Sequence, residues 1–598
     1  MNAKTKRRPA PRPRLRVLLV ATAVVFSLCA GRAFQVQALD ASAVAAQAAD
    51  QITVSQPIPA LRGTITDRNG EVLAFSEPTV NVVADPEMIR TNGKFDQPMT
   101  DRDKEIAANA AQRIAELMAR YLGGVADTYL PALTKPGSRY SIVARQVSAA
   151  AFAQLASDMK DASLLGLYKV SAPTRRYPGG ALASNVLGFV NSEGVGASGL
   201  ELTLNGKLKG TDGTQSYETS PNGRIPLGTN VLTPAVNGQN YQLTLDAGLQ
   251  VQVEQILADR VNTTRANWGT AVVLDVNTGE VLALANYPSF DSNAAGKAKN
   301  ADRGNRAITD PYTPGSVEKT LTFAALLDTG TITPTTVVSV PGRIKSGSNW
   351  VNDAWRHDTV NLYARGILAK SSNVGTIKLA RKLTKKTLVD YLTSFGLGHK
   401  TGIGLPGEAS GVLPKADMPD YTRDGIAFGG SGMLVTTLQE AAAVAAVTNG
   451  GIYHQPTLVK SSTSADGTTQ ALPVAAPRRV VSAQTSQQVA SLMEAMKVNS
   501  GSTVFDVTGY RVGTKTGTAK KWNTGCNCWR GLTTSVMGIA PVEAPQLLTY
   551  VVIDNPRQAG SGLSASGPAW RDIMSVALPR YGVPPSVTKP PPLPIAPK

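Results

Sequence analysis

The hydrophobic positions of the chain change their spacing several times, and each change marks an element. From Val17 the stretch VLLVATAVVFSLCAGRAF is apolar except at Arg32. A bilayer-spanning helix needs roughly twenty such residues, and Leu15 with the aliphatic stems of Arg16 and Arg32 extends the stretch towards that length. Asp40 to Ala60 is rich in Ala and Gln without turn signals, which predicts a helical stalk. In RGTITDRNGEVLAFS (62–76) the period becomes two around Asn69-Gly70, the pattern of a hairpin. Residues 101–165 return to a helical period, clearest in DKEIAANAAQRIAELMARYL.

A strand running into a helix, NYQLTLDAGLQVQVEQIL, opens a second region near residue 237. GTAVVLDVNTGEVLALANYP then reads as two apolar strands around Asn277-Thr278-Gly279. Helical patterns dominate to about residue 500, and strands return in YRVGTKTGTAKKW, TTSVMGIAPV and LLTYVVIDNP. Strands first, helices between and strands last predict an α+β domain whose antiparallel sheet is closed by the late strands and flanked by helices. The organisation expected is a basic tail over 1–14, a transmembrane anchor over 15–39, a first exported domain over 40–236, a second over 237–580 and a Pro-rich extended tail over 581–598.

Charge orients this arrangement. The formal balance is +17, and Lys4, Lys6, Arg7, Arg8, Arg12, Arg14 and Arg16 precede the apolar stretch without an acid among them. Basic residues on that side place the N-terminus in the cytoplasm and the remainder outside a single-pass plasma-membrane anchor. A cleaved secretion signal is the competing reading, but Arg32 and Gln35 to Gln37 interrupt the small-residue zone that cleavage needs. Bulky Leu28 ahead of Cys29 argues against lipid attachment there. Both readings export the chain, so nucleic acid is a poor partner despite the positive charge. Three cysteines do not make a disulfide framework. Cys526 and Cys528 could close on each other, pair between molecules or stay reduced. A metal site is not expected, because His357, His399 and His454 are not spaced to help the cysteines, and no cofactor is expected.

The candidate chemistry rests on serine and lysine. On a helix, positions i and i+3 share a face, and burial beside a second cation depresses a lysine pKa until the free amine can take a proton. Ser-x-x-Lys occurs at Ser157-Lys160, Ser316-Lys319 and Ser586-Lys589. Ser586 lies among prolines and Ser157 on a charged helical face. In YTPGSVEKTLTFAALLDTG a Pro-Gly turn leads into an apolar helix, which puts Ser316 at a buried first turn whose amides favour an oxyanion. Ser-x-Asn occurs as Ser371-Ser372-Asn373 at the head of an amphipathic helix, and as Ser220-Pro221-Asn222 in a turn. Helix capping is the plainest role for the former. Lys-Thr-Gly occurs twice. Lys400-Thr401-Gly402 is enclosed by glycines in a loop, whereas Lys515-Thr516-Gly517 lies on a strand where Thr516 and Thr518 share a face. Gly517 would let a ligand approach the backbone. Strict alternation puts Lys515 on the opposite pleat.

Ser316-x-x-Lys319, Ser371-x-Asn373 and Lys515-Thr516-Gly517, in that order, resemble the signature of penicillin-binding proteins and related β-lactamases. RGTITDRNGEVLA, GLELTLNGKLKGTDG and FGGSGMLVTTLQEAAAVAAVTNGG are similar to the pedestal and transpeptidase segments of class B penicillin-binding proteins, and RRYPGGALASNVLGFV to their septal branch. The resemblance spans about 15 to 580. It implies an elongated, dimerisation-type pedestal over 40–236 and a D,D-transpeptidase domain over 237–580 that cross-links peptidoglycan stem peptides, without a cofactor. Ser316 would attack a D-Ala-D-Ala donor with Lys319 as base, Ser371 would relay a proton, and Asn373 would hold the donor amide. Lys515, Thr516 and Thr518 would hold its carboxylate, and the amides of Ser316 and Thr518 would form the oxyanion hole. β-Lactams would acylate Ser316. The implied partners are peptidoglycan strands derived from lipid-linked precursors, a multi-spanning glycan polymerase and other divisome proteins. An elongation-type enzyme, a hydrolase of the same fold, and a scaffold or β-lactam sensor without turnover are the alternatives. Glu318 departs from the apolar residue often found there and is expected to face solvent. FGGSG replaces Phe-Gly-Gln-Gly, and the Cys526/Cys528 loop is an addition.

Overall fold

The computed structural model describes residues 13–39, 53–94, 98–220, 223–224, 230–430, 432–523 and 526–597. The basic tail to residue 12, most of the expected stalk and the Pro221-Asn222 turn lie outside the described residues. Two units are present, one of residues 1–60 with 211–236, the other of 61–210 with 237–598.

The first unit holds α1 (Pro13–Phe34), within an apolar helical stretch of 26 residues, long enough to cross a membrane. Its other element is an antiparallel sheet in which Gly213–Ser220 lies between Thr53–Ile58 and Asn230–Thr233. Thr53–Ile58 corrects the helical stalk expected through Ala60: its TVSQPI holds three β-branched residues and a proline, which suit a strand better than a helix, and pairing with a distant strand overrides the Ala-rich neighbourhood.

In the second unit, the 62–76 hairpin forms as expected, Ile65–Thr66 against Val72–Glu77. Asp67 Oδ1 accepts from the amides of Asn69 and Glu71 and closes its turn. Arg62 and Arg175 both donate to the buried Glu201 carboxylate at 2.5 and 2.6 Å, tying this segment to GLELTLNG. α2 (Asp101–Leu122), started by a Thr100/Asp103 capping box, buries Ile114, Ala115 and Met118. The span expected to be helical to residue 165 also contains a strand, Ser141–Ser148, paired with Thr79–Ala84. Asn240–Leu243 pairs with Ile65–Thr66 on one side and Val459–Thr463 on the other, so one six-stranded sheet crosses residue 237.

The central sheet has five antiparallel strands: β1 (Trp268–Asp275), β2 (Val281–Tyr287), β3 (Gly513–Asn523), β4 (Cys528–Ala540) and β5 (Leu547–Asp554), in the order β2-β1-β5-β4-β3. Strands β1 and β5 are apolar at nearly every position because both faces are covered. The two-residue alternation splits them: Ala271, Val273, Val551 and Ile553 pack with one core cluster, Val272, Leu274, Tyr550 and Val552 with the other. Helices Ala247–Thr264 and Gly567–Arg580 cover the first face. α3 (Lys319–Asp328), α6 (Thr437–Thr448) and α7 (Ala483–Ser500) cover the second. Between them lie α4 (Ala364–Ala369) and α5 (Asn373–Ala380), preceded by a hairpin of Arg343–Ser346 and Asn349–Asn352 that the helical pattern did not announce. The Pro-rich end is extended, as expected, and packs on the domain: Tyr363 donates to the Ile595 carbonyl and Asn499 to that of Leu593.

Candidate active site

Edge strand β3 runs beside the turn that carries Ser316. Gly315 has φ +69°, a conformation costly for other residues, and its amide donates to the Gly429 carbonyl at 2.9 Å. The chain then makes one 3-10 turn, Gly315–Val317, and enters α3, where every residue from Lys319 to Leu327 is buried. Ser316 is half-buried at the wall of a groove of about 490 Å³, with Ser371, Asn373, Thr516, Thr518 and Trp529 also lining it.

Lys319 and Lys515 are both completely buried, and both reach Ser371. Lys319 Nζ donates to the Ser371 carbonyl at 2.7 Å, to Ser371 Oγ at 3.3 Å and to Asn373 Oδ1 at 2.7 Å. Lys515 Nζ donates to Ser371 Oγ at 3.0 Å and to the Thr516 carbonyl at 3.0 Å. The long lysine stem therefore crosses the pleat that alternation alone assigns it. Burial, then the neighbouring Lys515 ammonium, hold the Lys319 pKa well below the ordinary lysine value. Burial alone brings Lys515 down to about 7. An amine desolvated in this way is a base, and Ser371 Oγ lies between two of them.

Ser371 sits in the left-handed region at φ +55°, strain of the kind that collects at reactive sites. The cap of α5 is Ser372, whose Oγ accepts from the Gly375 amide at 2.8 Å. Capping thus falls on the middle residue and frees Ser371 and Asn373 for the groove. Asp353, which no motif pointed to, receives Ser372 Oγ at 2.6 Å and the Val374 amide at 3.0 Å.

Two expectations need correcting. Glu318 does not face solvent; it is fully buried, accepts from Thr322 Oγ1 at 3.0 Å, and its pKa is pushed well above the carboxylate range by burial and by Glu440. Glu440 is itself buried in α6, which raises it to about 8. A charged Glu318 beside Lys319 would hold the amine's proton; neutralisation by burial removes that pull. Gly517 does not open the backbone to a ligand either. It is buried, and a Cβ there would lie 2.3 Å from Ser535 Oγ and 3.0 Å from the Pro314 carbonyl, so glycine is needed for β3 to pack against the Ser316 turn.

The decoys separate cleanly. Ser157 and Lys160 are exposed on the helix Ala149–Asp161. Ser586 is in the extended tail, where its Oγ accepts from the Arg511 amide. The Lys400-Thr401-Gly402 amides at 401 and 402 are occupied by Glu408. Cys526 and Cys528 are bonded to each other.

Residues 269–575 match the family described as penicillin binding protein transpeptidase domain, and 57–243 the penicillin-binding protein dimerisation domain. The chain is 33% identical to "Penicillin-binding protein PbpB" of Mycolicibacterium smegmatis, over 96% of this chain and 91% of that one. It is 33% identical to "Peptidoglycan D,D-transpeptidase FtsI" of Escherichia coli, over 88% of this chain and 84% of that one. The solved penicillin binding protein 3 of Mycobacterium tuberculosis with ampicillin superposes with a TM-score of 0.69 at 30% identity, covering 91% of this chain and all of that one. The chain belongs to the class B penicillin-binding proteins, with a dimerisation domain ahead of a serine transpeptidase domain.

Proposed function

We propose that this protein is a peptidoglycan D,D-transpeptidase of septal wall synthesis and a target of β-lactams. The observation that carries the reading is the meeting of two desolvated lysine amines at Ser371 Oγ, on the wall of the groove onto which Ser316 opens. In the mechanism Ser316 Oγ attacks the penultimate D-Ala carbonyl of a stem peptide. Its proton passes to the Lys319 amine, and a proton reaches the departing D-Ala amine through Ser371. The ester bond to Ser316 replaces the broken amide, and an acceptor amine later takes the acyl group and restores the hydroxyl. The Ser316 and Thr518 amides hold the oxyanion, worth about 3 kcal/mol per donor. Asn373 orients the donor amide. Lys515, Thr516 and Thr518 receive its terminal carboxylate, with Gly517 as the packing position that keeps the strand close.

In the same reading α1 anchors the chain once in the plasma membrane, N-terminus inside, with a pedestal over 40–236 and the transpeptidase domain over 237–580 outside. Glycan strands come from a separate multi-spanning polymerase among the divisome proteins. The test is acylation by a fluorescent penicillin followed by mass mapping of the labelled peptide. The label is expected on Ser316 and absent from Ser316→Ala; a stable label on another residue would sink the assignment. A label lost within seconds would favour a hydrolase.

A further inference from the structure

Behind the Ser371–Asn373 turn lies a set of polar contacts that acyl transfer leaves unused. The Asp353 side chain is fully buried, and besides Ser372 and Val374 its carboxylate faces His357 Nε2 at 3.0 Å. The His357 side chain is 5% exposed and stacks on Trp355, with ring centroids 3.8 Å apart. Its other nitrogen, Nδ1, lies 2.5 Å from the Asp358 carbonyl oxygen. A neutral imidazole carries one N–H, and here both nitrogens face acceptors, so the contacts are complete only when both carry hydrogen. The remaining charges around the ring are Lys370, whose ammonium sits over Trp355 at 4.8 Å, and the exposed side chains of Arg356 and Asp358. Across the turn, Lys319 and Lys515 complete the set.

We propose that His357 is a positioning residue for acyl transfer: with a hydrogen on each ring nitrogen it holds Asp353 and through it the turn that presents Ser371 and Asn373, and acylation slows when either contact of the ring is lost. Two effects act together. Without the Nε2 or Nδ1 hydrogen one contact of the clamp is lost, and the Ser372 cap and Val374 amide are held by a carboxylate that can move. Asp353 also favours the charged form of Lys319, against burial and Lys515. The imidazolium offsets that carboxylate, and its neutralisation leaves Asp353 to hold the proton on the amine that must act as base.

This inference rests on the acyl-transfer reading, and the experiment separates the two. The second-order rate of penicillin acylation is measured on the full chain in detergent from pH 5 to 9, for wild type, His357→Gln and Asp353→Asn. The ratio of the wild-type rate to that of His357→Gln, in which the contribution of Lys515 cancels, should fall on the alkaline side with the midpoint at which the His357 ring titrates by NMR, readily assigned among three histidines. His357→Gln should be slower by about tenfold on the acid side of that midpoint, and the gap should close as pH rises. Asp353→Asn should be slow throughout and lack the part of the alkaline fall that follows His357, keeping only the part set by Lys515, which burial brings down to about 7. A His357→Gln profile parallel to wild type, whether equal or uniformly lowered, would overturn the proposal, even with a lower Tm. Wild type that is not acylated at any pH would overturn the acyl-transfer reading instead.

Discussion

The same tripeptide, Lys-Thr-Gly, occupies two places in this molecule and has opposite surroundings in them. At 515–517 the lysine is buried with no ion pair among the described residues and turns its amine to Ser371, while Thr516 lines the groove. At 400–402 the loop has folded onto an acid of its own: Glu408 accepts from the amides of Thr401 at 2.6 Å and Gly402 at 3.2 Å, and from the Thr401 hydroxyl. One copy turns its amine and a threonine towards a groove, and the other has closed its amides on an acid of its own. What distinguishes a site from its sequence look-alike is whether the fold supplies the counter-charge.

The largest expected effect breaks the symmetry of the pair directly. Lys515→Ala removes one of the two amines at Ser371 and should lower the rate of penicillin acylation by at least a hundredfold, roughly 3 kcal/mol. Lys400→Ala should leave it within twofold. Stopped-flow acylation of both variants decides, and a large loss on Lys400→Ala would exchange the roles of the two segments.

The next difference is between carboxyls, and it shows in stability against pH. Glu408 has three hydrogen-bond donors, whereas neither oxygen of Glu440 has a partner among the described residues. Burial raises Glu440 from the usual 4.5 to about 8, so between those values the folded protein binds a proton that the unfolded chain has released. Stability therefore falls as pH rises through that window, by about 1.4 kcal/mol per unit at most. Glu318, shifted in the same direction, adds to the slope. Glu440→Gln should flatten the decline in Tm between pH 5 and 8. An unchanged slope would mean that Glu440 is ionised in the fold.

Both tripeptides end in glycine, for different reasons. Gly402 has φ +78°, whereas Gly517 lies in a strand and is restricted by Ser535 and Pro314. Gly517→Ala should cost about 1–3 kcal/mol of stability through overpacking and slow acylation by displacing the Ser316 turn. Adding Ser535→Ala, which removes the nearest atom, should recover part of both losses. No recovery would place the strain on the Pro314 carbonyl alone.

These contrasts also measure how far the residues could be read before folding. The sheet was legible because β1, β2 and β5 are runs of apolar residues bounded by turns, and Ser316 because Pro-Gly precedes an apolar helix. Thr53–Ile58 and Ser141–Ser148 were not, since a short strand whose partner is distant has no local signal that outweighs an Ala-rich or helical neighbourhood. The same holds within the site. Ser371 and Asn373 stand in a motif, but Asp353 and His357 lie in a preceding loop, and only Asp-x-x-x-His in DAWRH could have drawn attention to them. Glu318 was misplaced because helical periodicity near Ser316 does not reveal that α6 covers the opposite side.

The smallest effect sharpens the contrast from the loop side. Glu408→Gln keeps one acceptor oxygen for Thr401 but turns an amide nitrogen towards the Gly402 N–H, setting donor against donor where an acceptor had been. The charge that strengthened all three bonds is lost as well. Stability should drop by about 1–2 kcal/mol, seen as a lower denaturant midpoint at unchanged m-value. Penicillin acylation should stay within twofold, because nothing in this loop lines the groove. Were acylation to fall with stability intact, the 400–402 loop would have to communicate with Ser316, and the division between an occupied copy and an open one would no longer hold.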